Sequence, residues 1–236
     1  FMRRMDPNSV AIIPAAREAV RSHDTNYRYR QNSDFFYLTG FEEPDAIAVI
    51  APSGQKKFTL FVRPRDLERE IWDGYRAGVE GAVRDYSADE AFPVVEFDEK
   101  LAEILDGPAS LYYAFGNGSP ELDTKIIRQL ALMRETNRKP LEPPANIVDP
   151  TTIIHEMRVL KSDAEVEIMQ RAADIAAEAH VEAMKAVRAG MKEYEVEALI
   201  EAVFRRQGSA GPSYTSIIGS GANATVLHYI TNMGTL

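Results

Sequence analysis

Cysteine is absent from this 236-residue sequence, tryptophan occurs once and histidine four times. The missing thiols exclude disulfide scaffolds, thiolate nucleophiles and every zinc site built on thiolate ligands, and they fit a cytoplasmic address. No apolar run approaches the roughly 20 residues that cross a bilayer, so no membrane partner is expected. The opening stretch Phe1–Val10 carries arginines but no apolar segment with a cleavage site, unlike a signal peptide, and it starts with Phe rather than Met. Positive charge is also short: 27 Lys and Arg stand against 36 Asp and Glu, a net charge of −9. That balance argues against a general phosphate-binding surface and against nucleic acid as a partner. The run Tyr27-Arg28-Tyr29-Arg30 interleaves aromatic and basic groups, but Asp34, Glu42, Glu43 and Asp45 follow it closely.

What is present is a chain with 45% hydrophobic and 27% charged residues, enough for one large core or two modest ones. The first part reads as alternating α/β. Short β-type runs are expected at Val10–Pro14, Phe36–Thr39, Ala46–Ala51, Phe58–Val62, Pro93–Phe97 and Leu111–Phe115. Helical spacing marks Asp98–Leu105 and Glu121–Arg134, while Pro52-Ser53-Gly54 suits a hairpin turn and Gly116–Pro120 a loop before a helix. Lys139–Pro150 holds four prolines, which forbid a helix and disfavour a central strand; it is read as a connection between domains. From Ser162 the pattern becomes long-helical. Ser162-Asp163-Ala164-Glu165 is a capping box, and an apolar stripe from Ile168 to Ala183 follows it. Gly190 ends that helix, and a second presents Val196, Leu199, Ile200, Val203 and Phe204 on one face, with Gly208 beyond its end. Tyr214–Ile218 and Thr225–Ile230 then read as a hairpin joined by Gly219–Asn223. Two helices and one hairpin make a poor independent core, so the second domain is expected to be incomplete.

Motifs for chemistry are few. His155-Glu156 starts like a zinc-protease helix, but Val159 occupies the place of the second histidine. Gly219–Ala224 fits a loose dinucleotide fingerprint, yet the residues after it favour a strand rather than the helix that pyrophosphate binding requires. Neither a phosphate loop ending in Gly-Lys-Ser/Thr nor a Gly-x-Ser-x-Gly elbow occurs. His228, between Leu227 and Tyr229, is either a packed, hydrogen-bonded histidine or an imidazole lining a cleft near a reacting carbonyl. Trp72 is either a packing anchor or an exposed aromatic wall for a ligand or partner.

Several stretches in order carry a resemblance. Tyr29-Arg30-Gln31-Asn32-Ser33-Asp34 through Gly40-Phe41-Glu42-Glu43-Pro44, the Arg65–Gly74 stretch, His155-Glu156-Met157-Arg158 with Lys161-Ser162, then Pro212-Ser213-Tyr214, Ile218–Asn223 and Leu227-His228-Tyr229 together resemble the aminopeptidase P (Xaa-Pro aminopeptidase) family of M24 metallopeptidases. The resemblance implies an α/β creatinase-like N-terminal domain of ribonuclease H-like fold over residues 1–158. It implies the truncated start of an α+β pita-bread catalytic domain over residues 159–236. It further implies release of the N-terminal residue from peptides with proline second, and two divalent metal ions, typically Mn2+, held by two Asp, one His and two Glu. All five ligands would lie after the Leu-His-Tyr stretch, so no metal residue is assignable and the chain alone is expected to be inactive. By the same resemblance His228 contacts substrate near the scissile bond. Tyr214 lies near the active site, and Trp72 helps close the pocket of a neighbouring subunit in a homo-oligomer (dimer or tetramer) assembled through the N-terminal domain. Asp24 falls near that inter-subunit site. Two alternatives stay open at this point: a prolidase acting on dipeptides, and a non-catalytic pita-bread module for binding or oligomerisation.

Overall fold

The computed structural model describes residues 1–117, 119–135 and 141–236, and the chain divides into two compact units, Phe1–Val159 and Leu160–Leu236. The first is built on a six-stranded mixed sheet. Its strands are β1 (Ser9–Pro14), β4 (Ile47–Ile50), β5 (Phe58–Val62), β6 (Glu90–Pro93), β7 (Ser110–Tyr112) and β8 (Asn146–Val148), in spatial order β6-β5-β4-β1-β7-β8. β1, β4 and β5 pair antiparallel, while β6, β7 and β8 join in parallel. A small separate hairpin is made by β2 (Val20–Ser22) and β3 (Thr25–Asn26).

The period-2 alternation of the central strands distributes their side chains to two cores. Ala11, Ile13, Ala48, Ile50, Leu60 and Val62 pack with Phe35 of α1 (Ser33–Thr39), Ala82 of α3 (Gly78–Tyr86) and Ile154 of α6 (Thr151–Val159). Val10, Ile12, Val49, Phe61 and Leu111 face the other way, onto α4 (Phe97–Leu105) and α5 (Pro120–Glu135). The result is a three-layer α/β/α arrangement. One further helix, α2 (Leu67–Asp73), buries none of its residues.

Three expectations for this unit need correction. Phe36–Thr39 is helical, not a strand: the Asn32 side chain accepts from the N–H groups of Asp34 and Phe35, and Gly40, at φ 65°, closes the helix. A strong N-cap and C-cap on either side of seven residues outweigh the β preference of the aromatics. Pro93–Phe97 is not a strand either, because β6 ends at Pro93 and a 3-10 turn leads straight into α4. The proline-rich stretch is no free connection. Lys139 and Pro140 lie outside the described residues, as does Gly118 of the predicted loop, but Asn146–Val148 forms β8. The edge position reconciles this with proline, since an edge strand needs to offer only one side to the ladder.

The second unit consists of α7 (Asp163–Ala186) and α8 (Glu193–Arg206), packed through Ala179, Ala183, Val196, Ile200 and Val203, followed by an irregular segment to Leu236. Ser162 caps α7 in the predicted capping box, and Gly208 follows α8 at φ 87°. The expected hairpin does not form. Tyr214–Ile218 is irregular, Gly221–Thr225 is a 3-10 turn, and His228 lies in a turn. A strand requires partner backbone, and in the first expected strand a buried side chain takes polar backbone groups instead. Asn232 accepts from the Ile218 N–H at 3.0 Å and donates to the Ser216 carbonyl at 2.9 Å.

Candidate functional site

The segment that carries His228 is organised by one carboxylate. Glu193, the first residue of α8, is 0% exposed. Its Oε1 accepts from the Ser220 N–H (2.8 Å), the Ser220 hydroxyl (2.8 Å) and Asn223 Nδ2 (3.1 Å). Its Oε2 accepts from the Tyr229 hydroxyl (2.7 Å) and the Gly234 N–H (2.7 Å). The backbone joins in, because the Glu193 N–H donates to the Gly234 carbonyl at 3.0 Å. An acidic residue in the first turn of a helix also faces the positive end of its dipole. Asn232, 1% exposed, adds a second buried anchor by donating to Glu197 Oε2 at 2.9 Å.

Burial alone would raise the Glu193 carboxyl, but the hydrogen bonds from Tyr229, Asn223 and Ser220 outweigh it and hold the group at about 2. A folded-state value below the ordinary carboxylate range means that stability is fully present above that range and is lost as pH falls toward about 2. Amide exchange across residues 219–234 should therefore keep its protection from neutral pH to about pH 5, weaken below it and collapse near pH 2. Uniform protection down to pH 1.5 would remove the ionised carboxylate from this account.

The same unit holds a groove of about 550 Å³ between α7, α8 and residues 208–218, lined by Ile168, Ile175, His180, Ile200, Phe204 and Tyr214 among others. Tyr214 is 71% exposed. His228 is exposed in its turn and is not among the groove's lining residues.

In the first unit a polar cleft of about 490 Å³ is lined by Asn32, Asp34, Phe115, Asp149, His155 and Arg158 among others. Asp34 accepts from Arg158 and sits 3.1 Å from His155 Nε2, tying the last turns of α6 to α1. The Trp72 indole is elsewhere, 85% exposed on α2. That helix is held by polar contacts: Asp66 caps it, and Arg65 makes a fork on Glu70 at 2.9 and 2.7 Å. Those bonds lower the Glu70 carboxyl and raise the Arg65 guanidinium. At the far end Glu43 Oε1 accepts from the Ala77 N–H. Asp24 is exposed at the tip of the β2–β3 hairpin, beside His23 at φ 44°.

Trp72 and Asp24 thus lie on separate elements of one unit, and Tyr214 and His228 on separate stretches of the other. Glu193 escaped the sequence reading because a glutamate opening a helix is normally a solvated first-turn acid. The only signal is the chain of donors it meets, Ser220, Asn223, Tyr229 and Gly234, between 27 and 41 residues away. Among the described residues no group of three or more His, Asp or Glu side chains is placed to hold a metal ion. The histidines that a metal would use are dispersed: His155 is spent on Asp34, and His180 pairs with the Ala176 carbonyl of its own helix.

Residues 1–113 match the family described as "Aminopeptidase P, N-terminal domain", and residues 167–236 match "Metallopeptidase family M24". The chain is 41% identical to the Xaa-Pro aminopeptidase of Escherichia coli (strain K12) over 234 residues, which is 98% of this chain and 53% of that protein. It is 36% identical to the Xaa-Pro aminopeptidase of Haemophilus influenzae over 97% of this chain and 51% of that one. Among solved structures it is similar to the Pseudomonas aeruginosa aminopeptidase PepP, with a TM-score of 0.96, 42% identity and coverage of 100% of this chain and 53% of that one. It is also similar to zinc-substituted Escherichia coli aminopeptidase P in complex with product, at a TM-score of 0.95, 40% identity and coverage of 100% and 54%. The chain spans about half the length of the curated relatives it matches.

Proposed function

The chain belongs to the aminopeptidase P family, with that family's N-terminal domain followed by the first part of an M24 metallopeptidase domain, and on this premise we propose that the protein containing it releases the N-terminal residue from peptides with proline in second position. The observation that carries the reading is the occurrence of both domain types, in this order, in a chain similar along 98% of its length to an Xaa-Pro aminopeptidase.

Proline at the second position removes the amide N–H of the scissile bond and brings a rigid ring. The proposal gives Tyr214 the role of an aromatic wall for that ring and Trp72 that of closing the pocket of a neighbouring subunit, and both side chains are exposed. His228 donates or accepts a hydrogen bond next to the scissile carbonyl, and Asp24 lies near the site formed with a neighbouring subunit. Divalent metal ions belong to the M24 family; two Mn2+ ions are part of the proposal. Among the described residues no group of three or more His, Asp or Glu side chains fits a metal. The ligands are therefore assigned to protein beyond this chain, and the 236 residues alone are proposed to be inactive. Assembly into a homo-oligomer through the first unit and a cytoplasmic location, in keeping with the absence of cysteine, complete the proposal. No described helix is long and apolar enough to cross a membrane.

The test is a rate comparison on the full-length protein with manganese, using an Xaa-Pro-Xaa tripeptide, the matching Xaa-Pro dipeptide and an Xaa-Ala-Xaa control. Cleavage of the tripeptide well above both others is expected, with no turnover by residues 1–236 alone. Preference for the dipeptide would make the protein a prolidase, and turnover by the 236-residue chain would refute the assignment of the metal ligands elsewhere.

A further inference from the structure

We propose that Glu193 is a positioning residue for His228: its buried carboxylate fixes the two backbone stretches on either side of that histidine while leaving the imidazole exposed. The contacts fall in two sets. Oε1 holds Ser220 and Asn223, which lie before His228 in the chain, and Oε2 holds Tyr229 and Gly234, which lie after it. The two sets are cross-linked, because the Tyr229 hydroxyl also accepts from Asn223 Nδ2 (3.1 Å) and from the Met233 N–H (3.3 Å). Tyr229 is the residue next to His228, so the bond from its hydroxyl to Glu193 anchors the side chain that adjoins the histidine in sequence.

A purely structural account explains this less well. If the aim were only to pack residues 219–234 onto α8, an apolar side chain would serve, since a buried charge with its partners is often matched or surpassed in stability by hydrophobic replacements. What five directional hydrogen bonds add is a single geometry, and catalytic geometry is sensitive at the ångström scale. Space around the hub leaves no slack. A Cβ on Gly234 would come within 2.8 Å of Glu193 and Asn223 atoms, and one on Gly219 within 2.9 Å of the Asn223 backbone. The hub is thus closely packed at both Gly219 and Gly234.

The functional half of this inference rests on the proposed role of His228, so the experiment has two arms, both on the full-length protein. In the first, the imidazole 15N and 1H signals of His228, assigned through a His228→Gln variant, are compared among wild type, Glu193→Gln and Tyr229→Phe, with circular dichroism to establish folding. Displacement of the His228 signals in both folded variants is expected, and unmoved signals overturn the proposal. Should Glu193→Gln fail to fold, Tyr229→Phe, which removes one hydroxyl from an otherwise intact ring, decides this arm alone. In the second arm, kcat for an Xaa-Pro-Xaa peptide is expected to fall roughly ten- to hundredfold in Glu193→Gln and less in Tyr229→Phe, with KM little changed. Moved signals with undiminished kcat overturn the functional half. If the wild-type protein cleaves no Xaa-Pro peptide, the activity reading fails, and the resonance arm still decides whether Glu193 positions His228.

Discussion

Phe61→Ala is expected to remove about 3–5 kcal/mol from the stability of the first unit. Phe61 lies in β5, one residue from its end, and is 1% exposed. Its neighbours across the ladder are Ile47 on β4 and Phe92 on β6, so the strand is held on both sides. Its ring meets Phe92 with centroids 5.5 Å apart and Phe97 edge-on at 5.1 Å and 90°. Truncation to alanine removes the apolar burial, the edge-to-face contact and the support under the first turn of α4. The void persists because two ladders keep β5 from collapsing into it. Urea unfolding monitored by circular dichroism measures the loss. As a control, Ile71→Ala on the fully exposed side of α2 should change stability by no more than about 0.5 kcal/mol. A Phe61→Ala cost as small as the control's would mean that the two-sided core assigned to β5 is wrong.

The second large effect is in the second unit, where Gly234→Ala is expected to cost about 1–3 kcal/mol and to free residues 219–234. Gly234 does not need glycine for its backbone angles, since its φ is not in the left-handed range. It needs glycine for room: an added Cβ would lie 2.7 Å from Glu193 Oε1, 2.8 Å from its Cδ and 2.8 Å from Asn223 Nδ2. Because each of these atoms belongs to the buried network, none moves without breaking a hydrogen bond to a charged group. Gly208 is the useful contrast. Nothing lies within 4 Å of a Cβ there, but φ is +87°, so alanine at that position costs only backbone strain of about 1 kcal/mol. Hydrogen exchange separates the two cases. Gly234→Ala should raise exchange throughout 219–234, while Gly208→Ala should raise it only at the end of α8. Equal, local effects from both would remove the steric argument.

These outcomes depend on features that differ in how far the linear sequence reveals them. Phe58–Val62 appears in the structure with the boundaries its alternation predicts, and Glu121–Arg134 differs from α5 by one residue at each end. The Ser162 capping box is formed as written. In each of these the determining interactions are local: side-chain period, cap chemistry, or a glycine beyond a helix end. One error is itself local, and the larger ones occur where a non-local partner decides. Phe36–Thr39 has β-type composition, yet caps at both ends make it a helix. The proline-rich stretch before Pro150 yields a strand because β7 has a free edge to pair with. The stretch around His228 is β-rich, but Glu193 and Asn232 take backbone N–H groups on either side of it, at Ile218, Ser220 and Gly234, and His228 itself lies in a turn. Trp72, Tyr214, His228 and Asp24 were all nameable from the sequence. Their exposure was not, since it depends on what the rest of the fold covers.

By itself, then, the sequence determined the class of the first unit, the two long helices of the second and the order of family motifs, because each is written in spacing over a few residues. Only the tertiary structure decided that Glu193 would be a buried, ionised hub and not a solvated first-turn acid. A carboxylate keeps its charge out of water only when enough donors converge on it, and these come from residues 27 to 41 positions away, brought together by the packing of the final segment against α8.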